Sequence, residues 1–110
     1  MKTEPSGFAV VLVTAASLDE ANKITAALLE SRKAACVNIV PRVVSWFWWQ
    51  GKIDTADEAM LIIKTRASAV PGIIELVKKQ HSYSVPEIIA LPIIAGSADY
   101  LDWISREVEE

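Results

Sequence analysis

Two segments of the chain, 51 positions apart, follow the same pattern in which a strand ends and a helix begins. Residues 12–17 read LVTAAS and residues 63–68 read IKTRAS. In each segment an apolar, β-forming run ends at a serine that can cap the following helix. In the first segment this is Ser17, supported by Glu20, and in the second it is Ser68. Two β-α-β halves in tandem predict an α+β fold of the ferredoxin-like, split βαβ type (βαββαβ). Right-handed crossovers then favour an antiparallel sheet of order 4-1-3-2 with both helices on one face, and a further C-terminal helix follows.

A single domain, residues 1–110, accounts for the length of the chain, and residues 1–7 are expected to form a flexible tail. The formal charge of -3 provides no basic stripe for a phosphate backbone, so no nucleic-acid partner is expected. No apolar run approaches the ~18 residues of a membrane span, so no membrane partner is expected either. The chain has one cysteine, which cannot form an intrachain disulfide, and a reducing cytoplasm is the expected location.

Four consecutive aromatic residues precede a Gln50-Gly51 turn and indicate a hairpin at residues 46–53. Strand alternation sends Trp46 and Trp48 to one face and Phe47 and Trp49 to the other. A hairpin that is apolar on both faces cannot bury both against one small domain. The four aromatic residues are therefore predicted to form an oligomer interface.

The only histidine and the only cysteine occupy two separate windows, residues 34–38 and residues 81–87. Cys36 lies between two small apolar residues in a predicted strand, so we expect a mainly buried thiol that is slow to alkylate. His81 follows two lysines at a predicted helix end, where a cation is favourable. The alternative is a metal ligand, since Tyr83 and Glu87 follow His81 closely.

The predicted sheet order separates the candidate ligands Cys36 and Glu87. They fall on opposite edges of the sheet, three strand spacings or roughly 14 Å apart. First-row metals bind at about 2.0–2.3 Å, so one chain cannot chelate a metal with both residues. A joint site requires the strand-2 edge of one subunit to meet the strand-4 edge of another. The same separation disfavours a catalytic pair of Cys36 with His81, and an enzyme is not expected.

Several motifs, in order along nearly the whole chain, resemble the CutA family of divalent-cation tolerance proteins. They are AACVNIVP at residues 34–41, WQGKI at 49–53, IKT at 63–65, PEIIALP at 86–92 after His81 and Tyr83, and YLDW at 100–103. The resemblance implies a ferredoxin-like subunit in a homotrimer similar to the PII signalling proteins. It also implies a role in tolerance of copper and other divalent cations.

The copper ligands that the resemblance implies are incomplete in this sequence. Some bacterial members bind copper through a cysteine late in the first strand and two adjacent histidines, where this chain has Val13, Gln80 and His81. One imidazole makes a poor Cu(II) site. We therefore predict no obligatory cofactor and weak binding of copper or another divalent cation between subunits, through His81 with Glu87 or Cys36.

The alternative function is a PII-like signalling trimer that senses a small anionic ligand in the clefts between subunits. Its candidate residues are Lys64, Arg66, Arg42 and Tyr83. No glycine-rich phosphate loop supports this alternative.

Overall fold

The structure, a computed structural model, describes residues 7–109. Its elements are β1 (Phe8–Ala15), α1 (Leu18–Glu30), β2 (Cys36–Trp49), β3 (Lys52–Arg66), a 3₁₀ turn (Ala67–Ala69), α2 (Val70–Gln80), β4 (Ile88–Ile93) and α3 (Ala98–Glu107). The expected flexible tail lies outside the described residues except for Gly7. The Gly7 carbonyl accepts a hydrogen bond from the Ala67 N–H at 2.8 Å.

The four strands form one antiparallel sheet of order β2-β3-β1-β4. This is the predicted order 4-1-3-2 read from the other edge, so the ferredoxin-like prediction is confirmed. Val13 of β1 pairs with Leu61 of β3 on one side and with Ile88 of β4 on the other. The edges are β2 and β4, and Pro92 lies in β4, where a missing N–H donor is tolerated.

Both βαβ helices pack on the same face of the sheet. Odd-numbered residues of β1 and β3 point to this face and are fully buried beneath the apolar sides of α1 and α2. The cluster includes Val11, Val13, Leu61, Ile63, Ile24, Leu28, Ile73 and Val77. Even-numbered residues of β1, such as Val10 and Leu12, point to the other face and are only half-buried. The sheet therefore has one closed face and one incompletely covered face.

The two βαβ helices begin differently. At α1 the predicted cap is confirmed, because the Glu20 N–H donates to the Ser17 hydroxyl at 3.1 Å. At α2 the prediction of a Ser68 cap is wrong: the cap position is Ala69, and no side chain caps the helix. The chain leaves β3 through the 3₁₀ turn, which delays the start of the α-helix beyond Ser68, and Pro71 occupies its first turn as predicted.

The hairpin of β2 and β3 extends beyond the end of β1. The last residue of β1, Ala15, pairs with Ala59, so residues 43–58, named the arm here, pair only with each other. Strand β2 has a register shift between Val40 and Val43, a β-bulge in which residues 41 and 42 face the single residue 59 of β3. The predicted turn is confirmed by positive φ at Gln50 (50°) and Gly51 (78°). The hairpin predicted at residues 46–53 is thus the tip of a longer one, because β2 and β3 each run from the sheet into the arm.

The third helix, α3, approaches the sheet from the incompletely covered face. Arg66 of β3 donates from Nη1 to the Ser105 carbonyl at 3.4 Å. Arg32, which follows α1, pairs through Nη1 with the Glu107 carboxylate at 2.7 Å. The backbone carbonyl of Arg32 accepts a hydrogen bond from the Glu109 N–H. The helix covers only the end of this face nearest Arg66.

Candidate functional site

His81 is buried where α2 meets the end of β1, and its side chain has 0% exposure. Its Nε2 atom lies 2.6 Å from the Thr14 carbonyl oxygen, which can only accept, so Nε2 carries a proton. Its Nδ1 atom accepts from the Tyr83 N–H at 3.0 Å and also lies 3.2 Å from Glu20 Oε1. Both ring nitrogens are therefore engaged, and a metal can reach Nδ1 only by displacing the Tyr83 N–H.

Tyr83 connects the loop of residues 81–87 to the arm. Its hydroxyl donates to Glu58 Oε2 at 3.1 Å, and its ring lies 4.7 Å from the His81 ring. Partial burial raises the pKa of Tyr83 above 10.0, and the hydrogen bond and charge of Glu58 raise it further, with a smaller contribution from Glu20. The tyrosine is thus held neutral, as a hydrogen-bond donor to the carboxylate.

Glu58 is a functional candidate that the sequence analysis missed. It is 8% exposed, and in the described part of the chain Tyr83 is its one hydrogen-bond partner, with no lysine or arginine paired to it. Glu58 is one of fourteen acidic residues in an alternating strand. Nothing in that local pattern distinguishes it, because its burial depends on a loop that comes 25 residues later.

An open cleft of about 600 Å³ separates the arm from the loop of residues 81–87. It brings two predicted residues, Tyr83 and Glu87, together with the aromatic residues of the arm. The lining consists of Thr14, Ser45, Trp46, Phe47, Trp48, Trp49, Asp54, Glu58, Tyr83, Ser84, Val85 and Glu87. This lining contains three carboxylates and no lysine or arginine. The cleft therefore favours a cationic ligand over an anionic one.

Cys36 lies at the far end of the sheet from this cleft. Across the sheet, Cys36 lies in line with Lys64 of β3, Val10 of β1 and Leu91 of β4. Glu87 immediately precedes β4 and is four positions before Leu91. Cys36 and Glu87 are thus about 14 Å apart across the strands and about 13 Å along them. Within residues 7–109 no group of three or more histidine, cysteine, aspartate or glutamate side chains is placed to hold a metal.

The neighbour of Cys36 is Tyr100 of α3, not His81 or Glu87. Burial raises the pKa of Tyr100 above 10.0, and the charge of the Cys36 sulfur and a hydrogen bond to it raise it further. The thiol itself is half-buried in the single chain, less than the sequence analysis expected.

Lys64 and Arg66 also lie near α3 and away from the cleft. Both are even-numbered residues of β3 on the incompletely covered face, and Arg66 is engaged with Ser105. Neither side chain lines the cleft, so neither is placed to neutralise an anion bound there.

None of the helices in residues 7–109 is long and apolar enough to cross a membrane.

Comparison with known proteins gives one consistent result. A sequence model of the CutA1 divalent ion tolerance protein family matches residues 9–107. The Divalent-cation tolerance protein CutA of Archaeoglobus fulgidus is 48% identical over 99 residues, which cover 90% of this chain and 96% of that protein. Protein CutA 1, chloroplastic, of Oryza sativa subsp. japonica is 44% identical over 101 residues, but these cover only 57% of that longer protein and 92% of this chain.

A solved structure supports the same relationship. The structure of the divalent cation tolerance protein (Cut A1) from Thermus thermophilus superimposes with a TM-score of 0.91 at 46% sequence identity. The match covers 93% of this chain and 99% of the Thermus chain. The similarity therefore extends over nearly the whole fold.

Proposed function

The chain belongs to the CutA1 divalent ion tolerance protein family, and on this premise we propose a non-enzymatic, cytoplasmic homotrimer that binds divalent cations weakly. The observation that carries the proposal is the state of His81. The imidazole is the softest nitrogen donor in the described chain, and it is buried with both nitrogens already bonded. A protein with this arrangement can bind a metal only at the cost of part of its own structure.

Exposed apolar side chains support the oligomer. On the edge strand β4, Ile89 and Leu91 are 50% and 49% exposed and point to the incompletely covered face. On the arm, Trp46 and Trp48 are each 73% exposed. Apolar surface of this extent on a small protein is typical of a subunit interface.

The two free edges of the sheet are complementary in direction. Strands β2 and β4 run antiparallel to each other, since β1 is parallel to β2 and antiparallel to β4. Strand β2 of one copy can therefore extend the sheet beside β4 of the next copy. A closed ring of three copies would leave no free edge, which is why we propose a trimer rather than an open chain.

One pair of metal-type donors lies at a suitable separation within the chain. His81 Nδ1 and Glu20 Oε1 are 3.2 Å apart, a distance that one cation can bridge. A cation that binds there must displace the Tyr83 N–H from Nδ1, and the surrounding structure must open because the imidazole has no exposed surface. We therefore propose that this binding is weak. Cys36 and Glu87 lie near opposite sheet edges, so they can act on one metal together only across an interface.

Two measurements test this proposal. Light scattering should give three times the subunit mass, and a monomer at micromolar concentration would contradict the trimer. Calorimetric titration with Cu(II) at neutral pH should give weak binding that His81→Ala and Glu20→Gln each reduce further. The control is Glu30→Gln, which removes an exposed carboxylate at the other end of α1 and should bind copper like the original protein.

The pH dependence and the affinity decide whether His81 takes part. Binding should weaken as pH falls through the range in which histidine becomes protonated, because the protonated imidazole has no lone pair to offer the metal. Nanomolar affinity, or affinity unchanged in His81→Ala, would show that the donors are elsewhere.

A further inference from the structure

Glu58 lacks a positive partner in the described part of the chain, although its side chain is nine-tenths buried. Its one hydrogen bond comes from the neutral hydroxyl of Tyr83. A buried carboxylate is costly unless a cation compensates it. Asp57, the adjacent residue in β3, differs in this respect, because it bonds Arg42 at 3.2 Å on the exposed side of the arm. No lysine or arginine of residues 7–109 is paired with Glu58, so a cation from outside these residues would find this carboxylate uncompensated.

The cleft beside Glu58 provides aromatic surface for such a cation. Cross-strand pairing places Phe47 opposite Asp54 and Val43 opposite Glu58, so Phe47 and Trp49 share a face of the arm with these two carboxylates. Tyr83 borders the same cleft from the opposite side. Aromatic faces attract cations, and alkylated ammonium groups gain most because their methyl groups are also removed from water.

The charge around the cleft is negative. Asp54, Glu58 and Glu87 line it, and the nearest lysine along that face of the arm is Lys52, two positions from Asp54. Even with Lys52 included, three negative charges face one positive charge.

The size and lining of the cleft favour an organic cation over a metal ion. Its volume of about 600 Å³ is far larger than a metal site, and its carboxylates are not grouped closely enough to hold one ion. A typical small-molecule site has mostly apolar and aromatic walls with a few polar groups that orient the ligand. This cleft has that composition, with Glu58 at a buried position.

We propose that this cleft binds an alkylated ammonium group, with Glu58 as its counter-charge and with Phe47, Trp49 and Tyr83 as its aromatic contacts. The site is distinct from the His81–Glu20 pair and does not depend on metal binding. Along β2, Val44, Trp46 and Trp48 alternate with Phe47 and Trp49, so their side chains leave the strand on the other side. Trp46 and Trp48 also border the cleft, so the test is made on the assembled protein.

The test uses the intact oligomer, a chelator to remove metals, and tetramethylammonium as the probe. Nuclear magnetic resonance follows the indole N–H signals of the four tryptophans. We expect the Trp49 signal to move and to saturate with tetramethylammonium. Potassium chloride at equal concentration controls for ionic strength, and tert-butanol is an uncharged molecule of similar shape. Equal responses to all three, or a response without saturation, would overturn the proposal.

Two neighbouring substitutions locate the counter-charge. Glu58→Gln keeps an oxygen that can accept from the Tyr83 hydroxyl, so the fold should persist while affinity falls about tenfold or more. Asp57→Asn removes the same charge one residue away on the other face of the arm and should leave affinity unchanged. Thermal unfolding of both variants verifies the fold. Equal affinity in Glu58→Gln and the original protein would exclude Glu58 as the counter-charge and overturn the assignment, and this outcome is independent of any copper titration.

Discussion

The Nε2 atom of His81 lies 2.6 Å from the carbonyl oxygen of Thr14, which is 67 positions earlier in the chain. This bond joins the end of α2 to the end of β1 and fixes the start of the loop of residues 81–87. The Thr14 carbonyl belongs to a buried residue, so its hydrogen bond is not easily replaced by water. The histidine that the sequence analysis predicts as a metal ligand is therefore also a structural residue.

Removing the imidazole should destabilise the protein. His81→Ala leaves the Thr14 carbonyl without its donor, and we expect the free energy of unfolding to fall by about 2 kcal/mol. His81→Gln retains an amide N–H of similar reach and should lose roughly half as much. Chemical denaturation of the three proteins at neutral pH measures these differences. Equal stability of His81→Ala and the original protein would mean that the bond contributes nothing.

Tyr83 should make the protein less stable in alkaline solution. Its pKa is above 10.0 in the folded state, because of burial and Glu58. Below pH 10 both states keep the phenolic proton, and the contribution of this tyrosine to stability is complete. Above pH 10 the unfolded state loses the proton first, so the free energy of unfolding falls as pH rises.

The substitution Tyr83→Phe isolates this effect. It removes the phenolic group from both states, and the decline in stability above pH 10 should become shallower. Denaturation curves collected at several alkaline pH values measure the slope. Tyr100→Phe, at the other tyrosine with a raised pKa, should flatten the slope independently. An unchanged slope in Tyr83→Phe would contradict the assigned direction of the shift.

Cys36 should control the titration of Tyr100. Its charge and its hydrogen bond are two of the three causes of the raised Tyr100 pKa. In Cys36→Ala only the effect of burial remains, so the pKa of Tyr100 should move towards 10.0. The phenolate absorbance is best followed in a Tyr83→Phe background, where Tyr100 is the only tyrosine left. If the titration is the same with and without the thiol, the two side chains do not interact in solution.

Two glycines should respond in opposite directions to the same substitution. Gly51 has φ of +78° and open space around it, so Gly51→Ala should cost about 1 kcal/mol through backbone strain alone. Gly72 lies in α2 without a positive φ, and an added methyl group would meet Lys33 at 3.6 Å, an ordinary contact. Gly72→Ala should therefore stabilise the protein by about 0.5 kcal/mol. Thermal unfolding of the two variants provides the comparison, and a shift in the same direction would refute the argument from φ.

The exposed tryptophans of the arm should be needed for assembly. Replacing Trp46 and Trp48 together with serine removes the apolar surface assigned to a neighbouring copy, and light scattering should then report smaller species at the same concentration. Leu29→Ser is the control, because Leu29 is also exposed (40%) but lies at the C-terminal end of α1, the end opposite to the one that follows β1. If the double variant and the control assemble equally well, the arm does not hold the oligomer together.

The order of the strands and helices could be predicted from the sequence because the signals are local. The apolar, β-forming runs, the Ser17 cap and the Gln50-Gly51 turn each involve a few consecutive residues, and the 51-residue repeat with right-handed crossovers then favours the order that is observed. The assignment of the aromatic residues to two faces was also correct, since alternation in a strand has a fixed period of two. The start of α2 was predicted wrongly because a 3₁₀ turn often precedes an α-helix, and the residues around Ser68 do not show where one ends and the other begins.

The cleft and its chemistry were decided only by the tertiary structure. The sequence identified Tyr83 and Glu87 but gave no reason to select Glu58, whose burial comes from a tyrosine 25 positions away. It placed His81 near a helix end but could not show that Thr14 and Tyr83 occupy both ring nitrogens. Local sequence determines which elements form. The environment of a charged or titratable group depends instead on which distant side chains the fold brings within hydrogen-bonding distance and which it removes from water.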